Sequence, residues 1–189
     1  MSTLKVDEIL KRTGTGTITI GQSGDTISIP SGATLNSAGT NTLTGIDNTP
    51  SFGAVSAANQ TASYDANTKV VFGTEQWDSN SAFADSRFTV PSGEAGKYLF
   101  LTGVRFNAVA SNKDIQLVFR KNGTQLDYGM SKIKSYISSG TATQSMIAHI
   151  TLDLSASDYV EIYVYTSDSS GNVLPSGYAF FSGHKLLGV

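Results

Sequence analysis

The chain has 189 residues, 39% of them hydrophobic, and a formal net charge of −2. That length holds one full domain plus an appendage, or one large β-sandwich, and the charge lacks the basic footprint of a nucleic-acid binder. Charged residues make up only 15%, below the roughly 25% of an average globular domain, and there is no cysteine, which removes disulfides and thiolate metal sites.

Met1–Arg12 carries Lys5, Asp7, Glu8, Lys11 and Arg12 around Leu4, Val6, Ile9 and Leu10. With no apolar run it is not expected to act as a signal peptide. It reads as a helical turn, an extended docking arm or a frayed end. The longest apolar stretches, such as Tyr98–Leu101, are far too short to cross a membrane as a helix. The absence of cysteine fits folding in a reducing compartment.

From Thr13 to about Ile46, short apolar pairs (Ile18/Ile20, Ile27/Ile29) and single residues (Leu35, Leu43) stand between Gly, Ser, Asn and Asp. Ile18, Ile27, Leu35 and Leu43 step by 9, 8 and 8 positions, the pattern of short β-rungs joined by tight turns. Ordering a residue costs about 1–2 kcal/mol of backbone entropy, which two small side chains per rung do not offset. Either several copies wrap together into a thin trimeric shaft sharing one core, or the segment is a polar linker. Asp47–Ser51, with Pro50, marks the boundary. The expected organisation is an arm over 1–12, a β shaft and boundary over 13–50, and a head over 51–189.

All the aromatic residues lie in that head, from Phe52 onward. Strand patterns follow at Lys69–Phe72, Arg87–Val90, Lys97–Asn107, Asp114–Arg120, Gln125–Met130, Gln144–Leu154, Asp158–Tyr165 and Tyr178–Leu187. Asn122-Gly123 is a type I′ hairpin signal, since both central residues take positive φ. The segment predicts an all-β sandwich or barrel.

Two strands are apolar on both faces. In Asp158–Tyr165, Val160, Ile162 and Val164 alternate with Tyr159, Glu161, Tyr163 and Tyr165. In Lys97–Asn107, Tyr98, Phe100, Val104 and Phe106 alternate with Leu99 and Leu101. A monomeric antiparallel sandwich usually leaves one face to solvent. The aliphatic face is expected to fill the space between sheets and the aromatic one to meet a neighbouring subunit; the plainer alternative is tyrosines exposed on an ordinary sheet.

Four ordered segments carry a resemblance: RFTVPSGEAGKYLF (Arg87–Phe100), VFRKNG (Val118–Gly123), LDLSASDYVEIYVY (Leu152–Tyr165) and FFSGHKLL (Phe180–Leu187). Over most of Ser56–Val189 the chain resembles the complement-q globular heads, a family of tumour-necrosis-factor-like jelly rolls. The resemblance implies a ten-strand jelly roll forming compact trimers, with Tyr98, Phe100, Tyr163, Phe181 and Gly183 in or near the trimer core; Tyr165 joins them through its place on the aromatic face. In place of a collagen stalk stands Thr13–Ile46. The opening MSTLKVDEILKRTGTGTITIGQSGDTISI resembles the start of tail-fibre and related virion proteins of marine bacteriophages. That implies virion docking through Leu4, Val6, Ile9 and Leu10.

No phosphate loop, dinucleotide fingerprint or metal-spaced histidine cluster is present. His149 and His184 lie in strand patterns without nucleophile-elbow spacing, and no carboxylate pair suggests a glycan hydrolase. Glu94, Asp114, Asp127, Asp158 and Asp168 fall near loops and offer oxygen ligands of the kind calcium takes, but no acidic loop pattern singles out a site, and no cofactor is expected. The reading is a non-enzymatic homotrimeric fibre or spike, resident on the virion, whose head binds a host glycan or protein. A capsid-attached decoration protein is the alternative. Trp77 in the loop-like Gly73–Phe83 and Tyr136 in Lys134–Gly140 are the candidate receptor-loop residues, as is the turn Ser167–Gly177; Trp77 can equally be a core plug.

Overall fold

The computed structural model describes residues 20, 22, 24–34, 48–128 and 132–187. The chain divides into two compact units, Met1–Leu43 and Thr44–Val189. Leu4, Val6, Ile9 and Leu10 lie outside the described residues. In the first unit, described residues 24–34 hold turns closed by Asp25 N–H to Gln22 O and Ala33 N–H to Pro30 O, both 3.0 Å. The rung strands expected at Ile27 and Ile29 do not form there within one chain, and both side chains are exposed.

Among its described residues the second unit contains fourteen strands. They are β1 Ser51–Val55, β2 Gln60–Ala62, β3 Thr68–Lys69, β4 Thr74–Asp78, β5 Phe83–Ala84, β6 Arg87–Thr89 and β7 Gly96–Ala110. There follow β8 Lys113–Lys121, β9 Thr124–Gln125, β10 Lys132–Ile137, β11 Thr141–Leu154, β12 Tyr159–Thr166, β13 Asn172–Leu174 and β14 Phe180–Lys185. The first sheet runs β2-β13-β7-β14-β1-β4, with β11 on the other side of β7. The second runs β10-β8-β12-β6-β5, with β3 continuing beside β12 and β9 beside β8. Every pair of named strands is antiparallel.

Local sequence explains the longest elements. The β11 strand alternates buried Met146, Ala148, Ile150, Leu152 and Leu154 with exposed Ser145, Ile147, His149, Thr151 and Asp153, the period-2 signature of a half-buried strand. Asn122 and Gly123 both take positive φ, 51° and 78°, and turn β8 back into β9 as the hairpin signal predicts.

The core is aromatic and lies between the sheets. Phe52 stacks on Phe83 at 4.7 Å and on Phe88 at 5.1 Å, and meets Phe181 edge-on at 4.8 Å. Tyr98, Phe100 and Phe106 enter from β7, and Val160, Ile162 and Val164 from β12; all six are fully buried.

That packing corrects the reading of β7. Its aromatic face points inward, and Tyr98, Phe100 and Phe181 are 0% exposed within a single chain, so a neighbouring subunit has nothing of theirs to cover. Gly183 is also interior: a Cβ there would lie 2.5 Å from Cδ1 of Phe100. The physical reason is cooperative. Phe83 and Phe88, from the second sheet, line the opposite side of the space that the β7 aromatics fill, and Phe52 joins them from β1 of the same sheet as β7. What β7 leaves outside is its aliphatic parity.

Three segments expected as loops contain strands. Trp77 stands in β4 and Tyr136 in β10, and Ser167–Gly177 contains β13.

Candidate functional face

Strand register builds the outer face of the first sheet row by row. One row crosses five strands as Trp77, Gly53, Ser182, Leu101 and His149. The next contains Val55, Phe180, Gly103 and Ile147. A third contains Ser51, His184, Leu99 and Thr151. Both histidines therefore lie on this one face, His149 exposed and His184 half-buried.

Glycines decide the face's texture. A Cβ on Gly53 would fall 2.3 Å from Cη2 of Trp77, and one on Gly103 would fall 2.5 Å from Cε1 of Phe180. The indole and the phenyl ring therefore lie across the sheet where any larger residue would force them off. Leu101 is 37% exposed, Trp77 50% and Ile147 63%. Beside them a shallow cleft is lined by Gly103, Arg105, Ser145, Ile147, Tyr178 and Phe180. The Arg105 guanidinium caps the Tyr178 ring at 4.5 Å, and its Nε is buried without a hydrogen-bond partner. The result is a flat, largely apolar surface, of the kind that marks a contact site.

The second sheet's outer face is different. Tyr163 and Tyr165 are on it, half-buried. Arg120 covers the Tyr163 ring at 4.1 Å and Arg87 covers Tyr159 at 4.8 Å. The Tyr165 hydroxyl donates to Asp65 at 2.8 Å, and that bond is the first cause of a pKa raised above 10.0. Tyr136, exposed, donates to Asn112 Oδ1 at 2.7 Å. Trp77 and Tyr136 therefore belong to different sheets and do not form one receptor surface.

The loop carboxylates are dispersed. Glu94 pairs with Lys185 at 3.0 Å and Asp158 with Lys121 at 2.9 Å; Asp127 accepts from Gln125 Nε2. The Asp114 amide donates to Ser167 Oγ at 2.8 Å. Burial works to raise the Asp168 pKa, but hydrogen bonds from the Ser170 and Ala110 amides, with the charge of Lys113, hold it below 3.8. Among the described residues no group of three or more His, Cys, Asp or Glu is placed to hold a metal. The signal for the apolar face was present in sequence, in Leu99 and Leu101 opposite the aromatic parity of β7. The contributions of Trp77, Ile147 and Phe180 depend on register between distant strands.

No protein-family model and no curated protein matches the chain. Solved structures do. The globular domain of zebrafish complement 1qA protein aligns with a TM-score of 0.55 at 19% identity, covering 72% of this chain and 97% of its own. Murine APRIL, crystallised at pH 5.0, aligns with a TM-score of 0.52 at 14% identity, covering 72% of this chain and 98% of its own. At such identities the likeness is one of fold, and two antiparallel sheets enclosing a single aromatic core give this chain the jelly roll of the complement-q and tumour-necrosis-factor-like domains.

Proposed function

We propose that the chain is a non-catalytic, homotrimeric binding head whose copies meet through the outer face of the first sheet. The observation that carries this reading is the apolar surface of Leu101, Ile147, Phe180 and Trp77, open to solvent in the single chain. Burying apolar area contributes about 25 cal/mol per Å², and a flat face with glycine-seated aromatic rings matches a second rigid surface. The jelly-roll fold supports it, through the family resemblance that implies compact trimers. In this arrangement the Arg105 guanidinium, half-buried over Tyr178, gains its missing partners from a neighbouring copy.

The head belongs to a bacteriophage virion in this reading. It serves as a short tail fibre or spike that meets the host surface, with Leu4, Val6, Ile9 and Leu10 docking the N-terminal segment to another virion protein. Support comes from the likeness of the opening residues to marine phage fibre proteins and from the rung spacing of the segment after them. The test has two parts. Light scattering on the purified chain is expected to give three times the 19.9 kDa chain mass, and a folded monomer at micromolar concentration overturns the trimer. Isolated heads are expected to block phage adsorption to host cells. If saturating heads leave adsorption unchanged while the protein is on the virion, the head is a decoration protein instead.

A further inference from the structure

We propose that the outer face of the second sheet binds acidic polysaccharide, through arginines held over tyrosine rings. This supplies a ligand class for the binding head and rests on that reading, since this sheet stays open when the first sheet's outer face is occupied.

Glu161 on β12 is flanked by Arg87 on β6 and by Arg120 on β8, each its direct Cα partner. The next row holds Lys69, Tyr163, Val118 and Lys132, and the row beyond it Tyr165, Gln116 and Lys134. Five cationic residues thus occupy positions around one central carboxylate. Asp65, Asp114 and Asp127 are at the rim: Asp65 accepts from Tyr165, Asp114 is paired with Tyr136 in register, and Asp127 accepts from Gln125.

The central carboxylate does not neutralise the arginines. Glu161, 7% exposed, takes its ion pair from Lys69 at 2.7 Å. Among the described residues neither Arg87 nor Arg120 has a carboxylate within ion-pair distance. Each instead lies on a tyrosine ring, with its Nε buried and without a hydrogen-bond partner. Stacking fixes the planar guanidinium in advance, so little side-chain freedom remains to be lost when an anion arrives. A carboxylate or sulfate at the open edge makes charge-assisted, bidentate hydrogen bonds.

The same geometry selects the ligand. Arg87 and Arg120 stand two strand spacings apart, about 10 Å, on an open sheet with no enclosing cleft. That suits an extended polymer with repeated charges better than a small molecule, which binds in concave sites. Neutral sugars and single-stranded bases need open aromatic faces; beside the arginines the rings of Tyr159 and Tyr163 are covered, and uncharged dextran tests the Tyr165 and Tyr136 rings that remain. Duplex DNA, with one charge per about 1.7 Å of axis, needs a denser basic footprint than two arginines about 10 Å apart.

The test uses the full chain, with polygalacturonate as carboxylated probe, dextran sulfate as sulfated probe, and uncharged dextran and duplex DNA as controls. Binding to one or both acidic polysaccharides is expected, weakening as salt rises. The double variant Arg87→Gln/Arg120→Gln is expected to lose at least about tenfold in affinity, in line with the loss of charged hydrogen bonds. A second variant, Lys132→Gln/Lys134→Gln, is expected to weaken binding on its own and keeps the test decisive if the arginine variant misfolds. Equal binding by every folded variant, no binding to either acidic polymer at low salt, or stronger binding to DNA overturns the proposal. Light scattering on the same samples separates this outcome from the trimer reading: trimers that ignore both acidic polymers sink the ligand class alone.

Discussion

Gly183 lies directly against the ring of Phe100, where a Cβ would fall 2.5 Å from Cδ1 and 3.0 Å from Cε1 of Phe52. Neither ring can yield, because both are fully buried among other aromatics. Gly183→Ala is therefore expected to destabilise the folded chain by about 1–3 kcal/mol through overpacking. Thermal melting measures it. A variant that melts like the parent but assembles poorly would return Gly183 to a subunit interface.

Adjacent residues of β7 are expected to give opposite phenotypes. Phe100→Asp places a carboxylate in the closed aromatic core and is expected to abolish folding. Leu101→Asp and Ile147→Asp place theirs on the outer face and are expected to leave a folded chain that no longer assembles. Circular dichroism reads the first effect and light scattering the second. Trimers of unchanged mass from both outer-face variants would exclude that face as the contact.

Trp77 reports on its seat. Gly53→Ala displaces the indole, since the added methyl overlaps the outer edge of the ring. Because Trp77 is already half-exposed and can swing away, little stability loss is expected in the monomer. Tryptophan fluorescence is expected to shift to longer wavelength, with no interference, as the chain has one tryptophan. An unchanged spectrum would mean that the ring does not rest on Gly53.

Acid should weaken one turn in a defined window. The Asp158 carboxyl is lowered from 3.8 to about 2 by hydrogen bonds from Lys121 and Asn122 and from the Ser155 amide, against a smaller effect of burial. The fold favours the charged form, so the contribution is complete above pH about 4 and is lost as pH falls through about 2. Solvent screening limits it to about 1 kcal/mol. Asp158→Asn is expected to lower stability at pH 7 and to flatten the pH dependence between 4 and 2, measured by denaturant unfolding at several pH values. Parallel curves for parent and variant would contradict this.

The junction of β12, β13 and β7 depends on a buried polar knot. Thr166 Oγ1 donates to Asn172 Oδ1 at 2.6 Å, and the Asp168 amide donates to Thr166 Oγ1 at 3.0 Å. The Asn172 amide nitrogen reaches the Asn107 and Ala108 carbonyls at 3.4 Å. Asn172→Ala leaves buried groups unsatisfied and is expected to cost about 1–3 kcal/mol, whereas Asn112→Gly, which tolerates the positive φ of 59° there and removes only the exposed Tyr136 contact, is expected to fall within about 0.5 kcal/mol of the parent.

Local signals were the legible ones. Alternation in Gln144–Leu154 and Asp158–Tyr165 located β11 and β12, and Asn122-Gly123 located a turn whose geometry needs only two residues. The all-β jelly roll followed from ordered motifs in Arg87–Phe100 and Phe180–Leu187. Short strands such as β4, TEQWD, show no alternation. They become strands only because β1 offers a free edge, which is why Trp77 read as a loop residue. Orientation was illegible for a related reason. Both parities of β7 are apolar, and which one turns inward is decided by Phe52, Phe83 and Phe88, residues that meet it only in the finished fold. The Arg–Tyr stacks were hidden likewise, because Arg87, Arg120 and their tyrosines come together through the register of three strands.

The position of β14 in the first sheet, between β1 and β7, has a consequence for how the domain is made. Its pairing joins residue 52 to residue 183 and residue 100 to residue 183, and Phe181 touches rings from β1, β5, β7 and β8. Until that strand docks, β1 and β7 each present an unpaired edge, and Phe72 and Phe119 lack the ring they pack against. Contacts so distant in sequence slow folding, because loop closure must be met before they stabilise anything. A ribosome-bound fragment ending before residue 180 is therefore expected to remain protease-sensitive, with edges open to pairing with neighbouring chains. Completion of each head is a single late event, and assembly of copies waits on it.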